Sequence, residues 1–357
     1  PYTWILAPVV VEVLKKAGVK DENICLINAP GTHQTEEQQL KNPVIPKLWG
    51  PLYGKHRIVL HDCDKRENLS YMGTTNQGTP IWINKNFAEA DVKIGIGELK
   101  PHHSAGHCGG GKIINPGICG RASIGAMHRR VMCKDFREWE IGPPDPRNMV
   151  RKDIEESAIL ANIDLKIDAI TNPIGRELVD ISAGDVIKEY REGVKKAQQI
   201  WGTRIKKKSD IAVYLSGDKG SYLQGSFMYA ALTPDMASKG DGIAIHVVDA
   251  NQGYSRQGIH QAFPPNMMKL NSEEMGWRLT LGTYDLRDMS LMWQTRKSLE
   301  VKRTFLVTRY SKEDALRYGF SYVTRTFEDA LAKAFEEKGK DATISVIYQE
   351  PQLYPYT

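Results

Sequence analysis

The sequence has no apolar run approaching the ~20 residues that a membrane-spanning helix needs, and no segment that reads as a secretory signal. It shows no internal repeat and no low-complexity tract. Cysteine is scarce: Cys25, Cys63, Cys108, Cys119 and Cys133 include no Cys-x-x-Cys pair. An odd number of thiols in a chain this long argues for reduced cysteines and a cytoplasmic setting. Strong charge bias is absent too. The net charge of +5 suits anionic small ligands and is no argument for nucleic acid. The run Lys206-Lys207-Lys208 lacks interleaved aromatics on which bases could stack, so it reads as a solvated hinge. Neither a membrane nor a nucleic acid is expected as a partner.

What is present describes a soluble globular protein. Hydrophobic residues make up 41% of the chain and charged residues 25%. A chain of 357 residues exceeds one ordinary core, so two domains are expected. The chain begins at Pro1 rather than at a methionine, which we read as a fragment or a processed product.

Short apolar strands alternate with helical stretches. Ile5 to Ala17 reads as a helix stopped by Gly18. Ile24 to Ile27 reads as a buried strand, followed by the loop Pro30-Gly31-Thr32-His33. Thr35-Glu36-Glu37-Gln38 has the threonine cap and acidic first turn of a helix start. Ile58 to Leu60, Pro80 to Ile83 and Val92 to Gly97 read as further strands. After the break Gly142-Pro143-Pro144-Asp145-Pro146 come a helix near Arg151 to Leu160, two strand-like segments and a long charged helix from Gly184 to Trp201. Gly202 to Lys208 reads as a linker. Ile211 to Leu215, Ile243 to Val248, Thr304 to Val307 and Ala342 to Ile347 read as strands of a second unit, with a last helix over Glu328 to Lys338. This pattern predicts an α/β protein of two α/β domains, 1–203 and 204–357, with a cofactor-binding cleft between them.

The densest chemistry lies in Pro101-His102-His103-Ser104-Ala105-Gly106-His107-Cys108-Gly109-Gly110-Gly111-Lys112, with His128 shortly after. Imidazole and thiolate bind borderline or soft metals. Consecutive glycines let a backbone approach a ligand closely. A lysine beside them can contact a phosphate or form a covalent bond. The stretch therefore reads as a site for a metal-bearing nucleotide. It follows directly on a strand, where ligands of α/β proteins sit, and His33 also follows a strand. His33, His102 and His128 are the leading functional candidates, with His103 and His107 behind them. His56, His61, His246 and His260 have no supporting context.

Gly31-Thr32-His33, then Pro101-His102-x-x-Ala105-Gly106-x-x-Gly109-Gly110-x-Lys112-x-x-x-Pro116-Gly117, then His128, resembles the nickel-dependent lactate racemase family. The match is dense from about Ile24 to Arg130 and mainly one of pattern after about residue 150. The resemblance implies a 2-hydroxyacid racemase or epimerase that inverts C2 by hydride transfer. It implies a nickel-pincer nucleotide as cofactor: nickel pyridinium-3,5-bisthiocarboxylic acid mononucleotide, attached to Lys112. His33 and His102 match the family's acid/base histidines, and His128 matches the protein ligand of nickel. Gly109 and Gly110 match its cofactor-binding glycines. Proteins that build the cofactor are the implied partners.

The chain departs from the family at several positions. Gln34 and Gly111 stand where arginine is frequent. His107-Cys108 replaces an aromatic-serine pair. In the second domain Gln224 matches a substrate-contacting glutamine, but Phe227 stands where lactate racemase has a lysine. These changes predict a 2-hydroxy acid other than lactate. Pro1 matches the proline of an Asp-x-Thr-Arg-Pro cofactor segment, whose earlier residues the sequence lacks. The competing reading is a zinc-dependent hydrolase with a water held by some of His102, His107, Cys108 and His128. That reading leaves Lys112 and the triple glycine without a task.

Overall fold

The computed structural model describes residues 2–132, 147–173, 176–216, 221–223, 237–253, 267–281, 286–348 and 354–356. The chain divides into two compact units; apart from a short segment beginning at Val131 that is grouped with the second, the first ends at Ile200 and the second begins at Trp201.

The first unit opens with α1 (Thr3–Lys16), whose Leu6, Ala7 and Val11 are buried. Then come β1 (Cys25–Asn28), α2 (Glu36–Leu40), α3 (Val44–Trp49), β2 (Arg57–Leu60), β3 (Leu69–Thr74), β4 (Pro80–Asn84) and α4 (Lys85–Ala88). β5 (Ile94–Leu99) leads into a hairpin of β6 (Pro101–His102) and β7 (Gly106–His107). α5 (Arg121–His128), α6 (Met149–Leu160), β8 (Leu165–Thr171), β9 (Leu178–Gly184) and α7 (Val186–Trp201) complete it. Thr35 caps α2 reciprocally with Gln38, as the sequence predicts.

The strands of this unit form small sheets. β1 pairs parallel with β2, β3 pairs antiparallel with β4, and β5-β8-β9 is a mixed sheet. Among the described residues β5 is thus an edge strand beside β8, and the strands are not joined into one open parallel sheet. One apolar cluster joins α1 to Ile24, Leu26, Trp49 and Leu52. Another gathers Ile81, Ile83, Ile114, Ile118 and Ile124 beneath α5 and α6.

The second unit contains β10 (Gly202–Arg204), β11 (Ser209–Leu215), β12 (Ser238–Val247), α8 (Ser272–Thr280), α9 (Leu286–Val301), β13 (Thr304–Val307), α10 (Lys312–Arg317), β14 (Tyr322–Thr324), α11 (Phe327–Lys338), β15 (Ile344–Tyr348) and β16 (Tyr354–Tyr356). Five strands form a parallel sheet in the order β14-β13-β12-β11-β15. Its core packs Ile211, Val213, Ile243, Ile245 and Phe305 against Ala330 and Ala334 of α11. The expected linker needs correction. Gly202–Arg204 is a strand that pairs parallel with Tyr354–Tyr356. Its partner lies so far along the chain that local composition gives no sign of it. The fold is α/β in both units. Among the described residues, no helix is long and apolar enough to cross a membrane.

Candidate active site

The site is built where β5 ends. Pro101 pairs with His107 and His102 with Gly106, so the histidines sit on a tight hairpin. The Cys108 N–H donates to the Lys100 carbonyl at 2.7 Å and closes its base. Gly109 (φ +85°) and Gly110 (φ +55°) then turn the chain into a 3₁₀ segment, Gly110–Ile113, which carries Lys112. Both glycines adopt the left-handed region, where other residues are strained.

The space around these glycines is filled by protein. A Cβ at Gly109 would meet Asp168 Oδ2 at 2.6 Å and Leu99 at 2.8 Å. At Gly110 it would meet the Tyr190 side chain at 2.9 Å, and at Gly111 the Ile154 carbonyl at 2.7 Å. The glycine run lets the turn sit tightly on β5, α6 and α7.

His102 Nδ1 accepts the backbone N–H of Ser104 at 3.2 Å and of Ala105 at 3.3 Å. In a neutral imidazole the other nitrogen then carries the proton. That nitrogen, Nε2, lies 3.1 Å from Lys112 Nζ. A neutral amine can accept the Nε2 proton, whereas an ammonium would face it donor to donor. Burial pulls Lys112 down to about 8, and the nearby Arg151 and Lys100 charges reinforce it against the opposing effect of Cys108. Burial also holds His102 well below its usual range, followed by the charge of Lys112. His103 stacks on His102 at 4.3 Å and is lowered to about 3, burial again first. At neutral pH these imidazoles are uncharged.

His128 ends α5, and its Nδ1 donates to the Ile124 carbonyl at 2.8 Å. That bond leaves Nε2 as the nitrogen with a lone pair, the arrangement a metal-binding histidine needs. A charge on His128 would also lower His102 and His103, so it stands within electrostatic range of both.

His33 lies on an exposed loop. The Gly31 N–H donates to the Gly117 carbonyl at 2.9 Å and so joins this loop to the turn that follows Lys112. Behind it, buried Gln39 donates to the His61 carbonyl at 2.7 Å and accepts from Asn28 at 2.7 Å. The structure therefore puts His102 and Lys112 in contact and ties the His33 loop to the same turn. Gln224 and Phe227 lie outside the described residues. His61 and His246 are buried within the framework of their own units.

The supporting residues were not expected from the sequence. Arg151, at the start of α6, is buried and donates to the Ala105 carbonyl at 3.1 and 3.0 Å, the Gly109 carbonyl at 3.4 Å and the His107 carbonyl. Its guanidinium lies 3.8 Å over the Tyr190 ring. The Tyr190 hydroxyl donates to the Ala105 carbonyl at 3.2 Å. Asn148 caps α6 through the Arg151 N–H and donates to the Ser104 carbonyl at 3.2 Å. In the sequence, only a charged residue within an apolar strand, Asp168 in Ile167-Asp168-Ala169-Ile170, offered a cue.

The zinc arrangement gains no support. Among the described residues, the group of three or more ligating side chains with converging donors is Asp62, Cys63 and Asp64, not the histidine loop. Asp62 there accepts the N–H groups of Glu36 and Asp64, and Asp64 is paired with Arg121.

The fold and the site define an α/β protein that holds a lysine amine against a neutral histidine at a strand end. Residues 2–140 match the family described as Lactate racemase N-terminal domain. This match covers less than half of the chain and falls in its N-terminal part. The chain is 26% identical to the lactate racemase of Thermoanaerobacterium thermosaccharolyticum and 23% identical to that of Lactiplantibacillus plantarum, in each case over 96% of this chain and 79% of the relative. The solved apoprotein of the former superimposes with a TM-score of 0.81 at 23% identity, covering 99% of this chain and 83% of that one. A protein from Thermotoga maritima superimposes with a TM-score of 0.68 at 16% identity, covering 99% of this chain and 90% of its own.

Proposed function

We propose that this chain is a 2-hydroxyacid racemase or epimerase that inverts C2 with a nickel-pincer nucleotide attached to Lys112. The observation that carries this reading is the Lys112–His102 contact at 3.1 Å, set in the family's own motif. The residues present fit such a group. Lys112 reaches its neutral, nucleophilic form near pH 8, as attachment to a thiocarboxylate requires. His128 presents an imidazole of the right tautomer for nickel, which favours nitrogen and sulfur. Lys100, Lys112 and Arg151 give the surroundings a positive character that suits an anionic nucleotide and an anionic acid.

When bound, the nucleotide supplies a hydride acceptor and donor for C2. The protein supplies the rest. His33 and His102 each take and return the hydroxyl proton of one enantiomer. Imidazole is the usual side chain for such proton transfers. Gly109 and Gly110 form the turn that presents Lys112. Gln224 and Phe227 are proposed substrate contacts on sequence grounds alone. A cytoplasmic setting with cofactor-building partners accords with this chemistry.

The substrate proposed is a 2-hydroxy acid larger or more polar than lactate. Gln34 and Phe227 lack the charges of the family pattern. Loss of a charge-assisted hydrogen bond costs about 1.5–3 kcal/mol, or ~10- to 100-fold in binding. Lactate has only a methyl group with which to compensate.

The test is intact-mass and metal analysis of protein produced with nickel and the cofactor-building proteins, then a panel of single-enantiomer 2-hydroxy acids resolved by chiral chromatography. A nickel-containing adduct on Lys112 and interconversion of at least one acid are expected. His33→Ala and His102→Ala should each lower interconversion by ~10²-fold or more. Absence of an adduct, or unchanged turnover in both variants, would falsify the reading. Highest catalytic efficiency with lactate would overturn the substrate proposal alone.

A further inference from the structure

Beneath the Gly109–Lys112 turn lies a buried charged cluster that the proposed reaction does not use. Lys166 and Asp168 share one face of β8, and both side chains are fully buried. Lys166 Nζ pairs with Asp168 Oδ1. Removing such a pair from water costs several kcal/mol per ion, so a buried pair is weak evidence for stability. Its geometry points to another use. Asp168 Oδ2 accepts the Gly110 N–H at 2.7 Å, two residues before Lys112.

Two glycines make room for this carboxylate. Gly97 stands opposite Asp168 in the β5–β8 register. A Cβ at Gly97 would lie 2.6 Å from Asp168 Oδ1, and one at Gly109 would lie 2.6 Å from Oδ2. The carboxylate is thus enclosed between the strand and the turn. Glu189 of α7 is buried beside it. Burial first, and the charge of Asp168 second, push Glu189 up to about 8. Burial thus favours the neutral form of Glu189, while Asp168 Oδ2 meets the Gly110 N–H.

We propose that Asp168 is a positioning residue: it holds the Gly110 amide and so sets the turn that aims Lys112 at His102, with Lys166 as its buried counter-ion. This role belongs to the protein's own geometry and does not depend on which cofactor or substrate the site takes.

Two variant pairs separate this role from general packing. Lys166→Met with Asp168→Leu replaces the ion pair by apolar groups of similar volume, an exchange that cores often tolerate, and removes the acceptor. Lys166→Met with Asp168→Asn removes the charges but keeps an acceptor oxygen. The readouts, on protein free of cofactor, are amide hydrogen exchange at Gly110 and the pH midpoint of amine labelling at Lys112, both followed by mass spectrometry. The leucine pair should speed Gly110 exchange by ~10-fold or more and move the Lys112 midpoint from about 8 toward 10.5. The asparagine pair should leave both near wild type. Wild-type behaviour in the leucine pair, or equal loss in both pairs, overturns the proposal. The wild-type protein gives a test that does not depend on folding of a variant. Its Gly110 amide should exchange only with global unfolding, alongside the amides of β8, and exchange at loop rates would equally overturn the proposal.

Discussion

Lys112 Nζ and His102 Nε2 face each other at 3.1 Å, and the far side of the imidazole is held by the N–H groups of Ser104 and Ala105. This arrangement decides which proton the pair can share. An ammonium at Lys112 would require His102 to offer a lone pair at Nε2, and so to turn a proton at Nδ1 toward two backbone donors. The backbone therefore reinforces burial in weakening the amine's hold on its proton. Amine-selective labelling of Lys112 in cofactor-free protein should have a midpoint near pH 8, whereas ordinary lysines titrate near 10.4. A midpoint above 10 would refute this account of the pair.

The same depression implies a stability cost. Between about pH 8 and 10.5 the unfolded chain holds a proton on Lys112 that the folded chain has released. The penalty is therefore full below pH 8 and fades as pH rises to 10.5. Replacing the amine removes it. Lys112→Met should raise the unfolding free energy of cofactor-free protein at pH 7 by roughly 1–3 kcal/mol. Urea denaturation at pH 7 and at pH 10 checks this, the gain at pH 10 being the smaller.

Acid should destabilise the fold through its neutral histidines. Burial lowers His61, His102, His103 and His246, the last two to about 3. Below pH 6.5 the unfolded chain takes up protons that these folded imidazoles refuse. Their contribution is full above pH 6.5 and is lost as pH falls toward 3. Glu189 acts in the opposite sense, since its raised pKa favours the folded state as pH falls from 8 toward 4.5. Several histidines oppose one acid, so stability should fall between pH 6.5 and 5. Urea midpoints that stay level over that range would contradict the burial assigned to these rings.

Arg151 holds the hairpin from the α6 side through the carbonyls of Ala105, His107 and Gly109. Arg151→Met removes a charged donor from each carbonyl, although Ala105 keeps the Tyr190 hydroxyl and the His107 N–H and Gly109 keeps the Lys112 N–H, and should cost about 1–3 kcal/mol. Arg151→Lys should recover less than half of this loss, because a single ammonium lacks the planar fork that spans several carbonyls. Full recovery by lysine, measured by chemical denaturation, would show that charge alone matters there.

The legible part of this protein was local. Thr35 and Gln38 cap α2 within one helical turn, so their pattern is visible in four consecutive residues. The histidines and Lys112 stand close in sequence on one hairpin and turn, and their residue types carry their chemistry. The strands of the second unit were readable because a parallel sheet buries both faces and produces continuous apolar runs.

Tertiary structure decided what those residues can do. The sequence specified a glycine run before Lys112, and only the fold showed that Asp168, Tyr190 and Ile154 fill the space that side chains would need. The strand character of Gly202–Arg204 likewise depends on Tyr354–Tyr356. Arg151, Asp168 and Tyr190 look like ordinary helix and strand residues until folding brings them under the turn. The lowered pKa of Lys112 also arises there. A side chain's type sets its possible charge, but its desolvation and its hydrogen-bond partners come from segments distant in the chain.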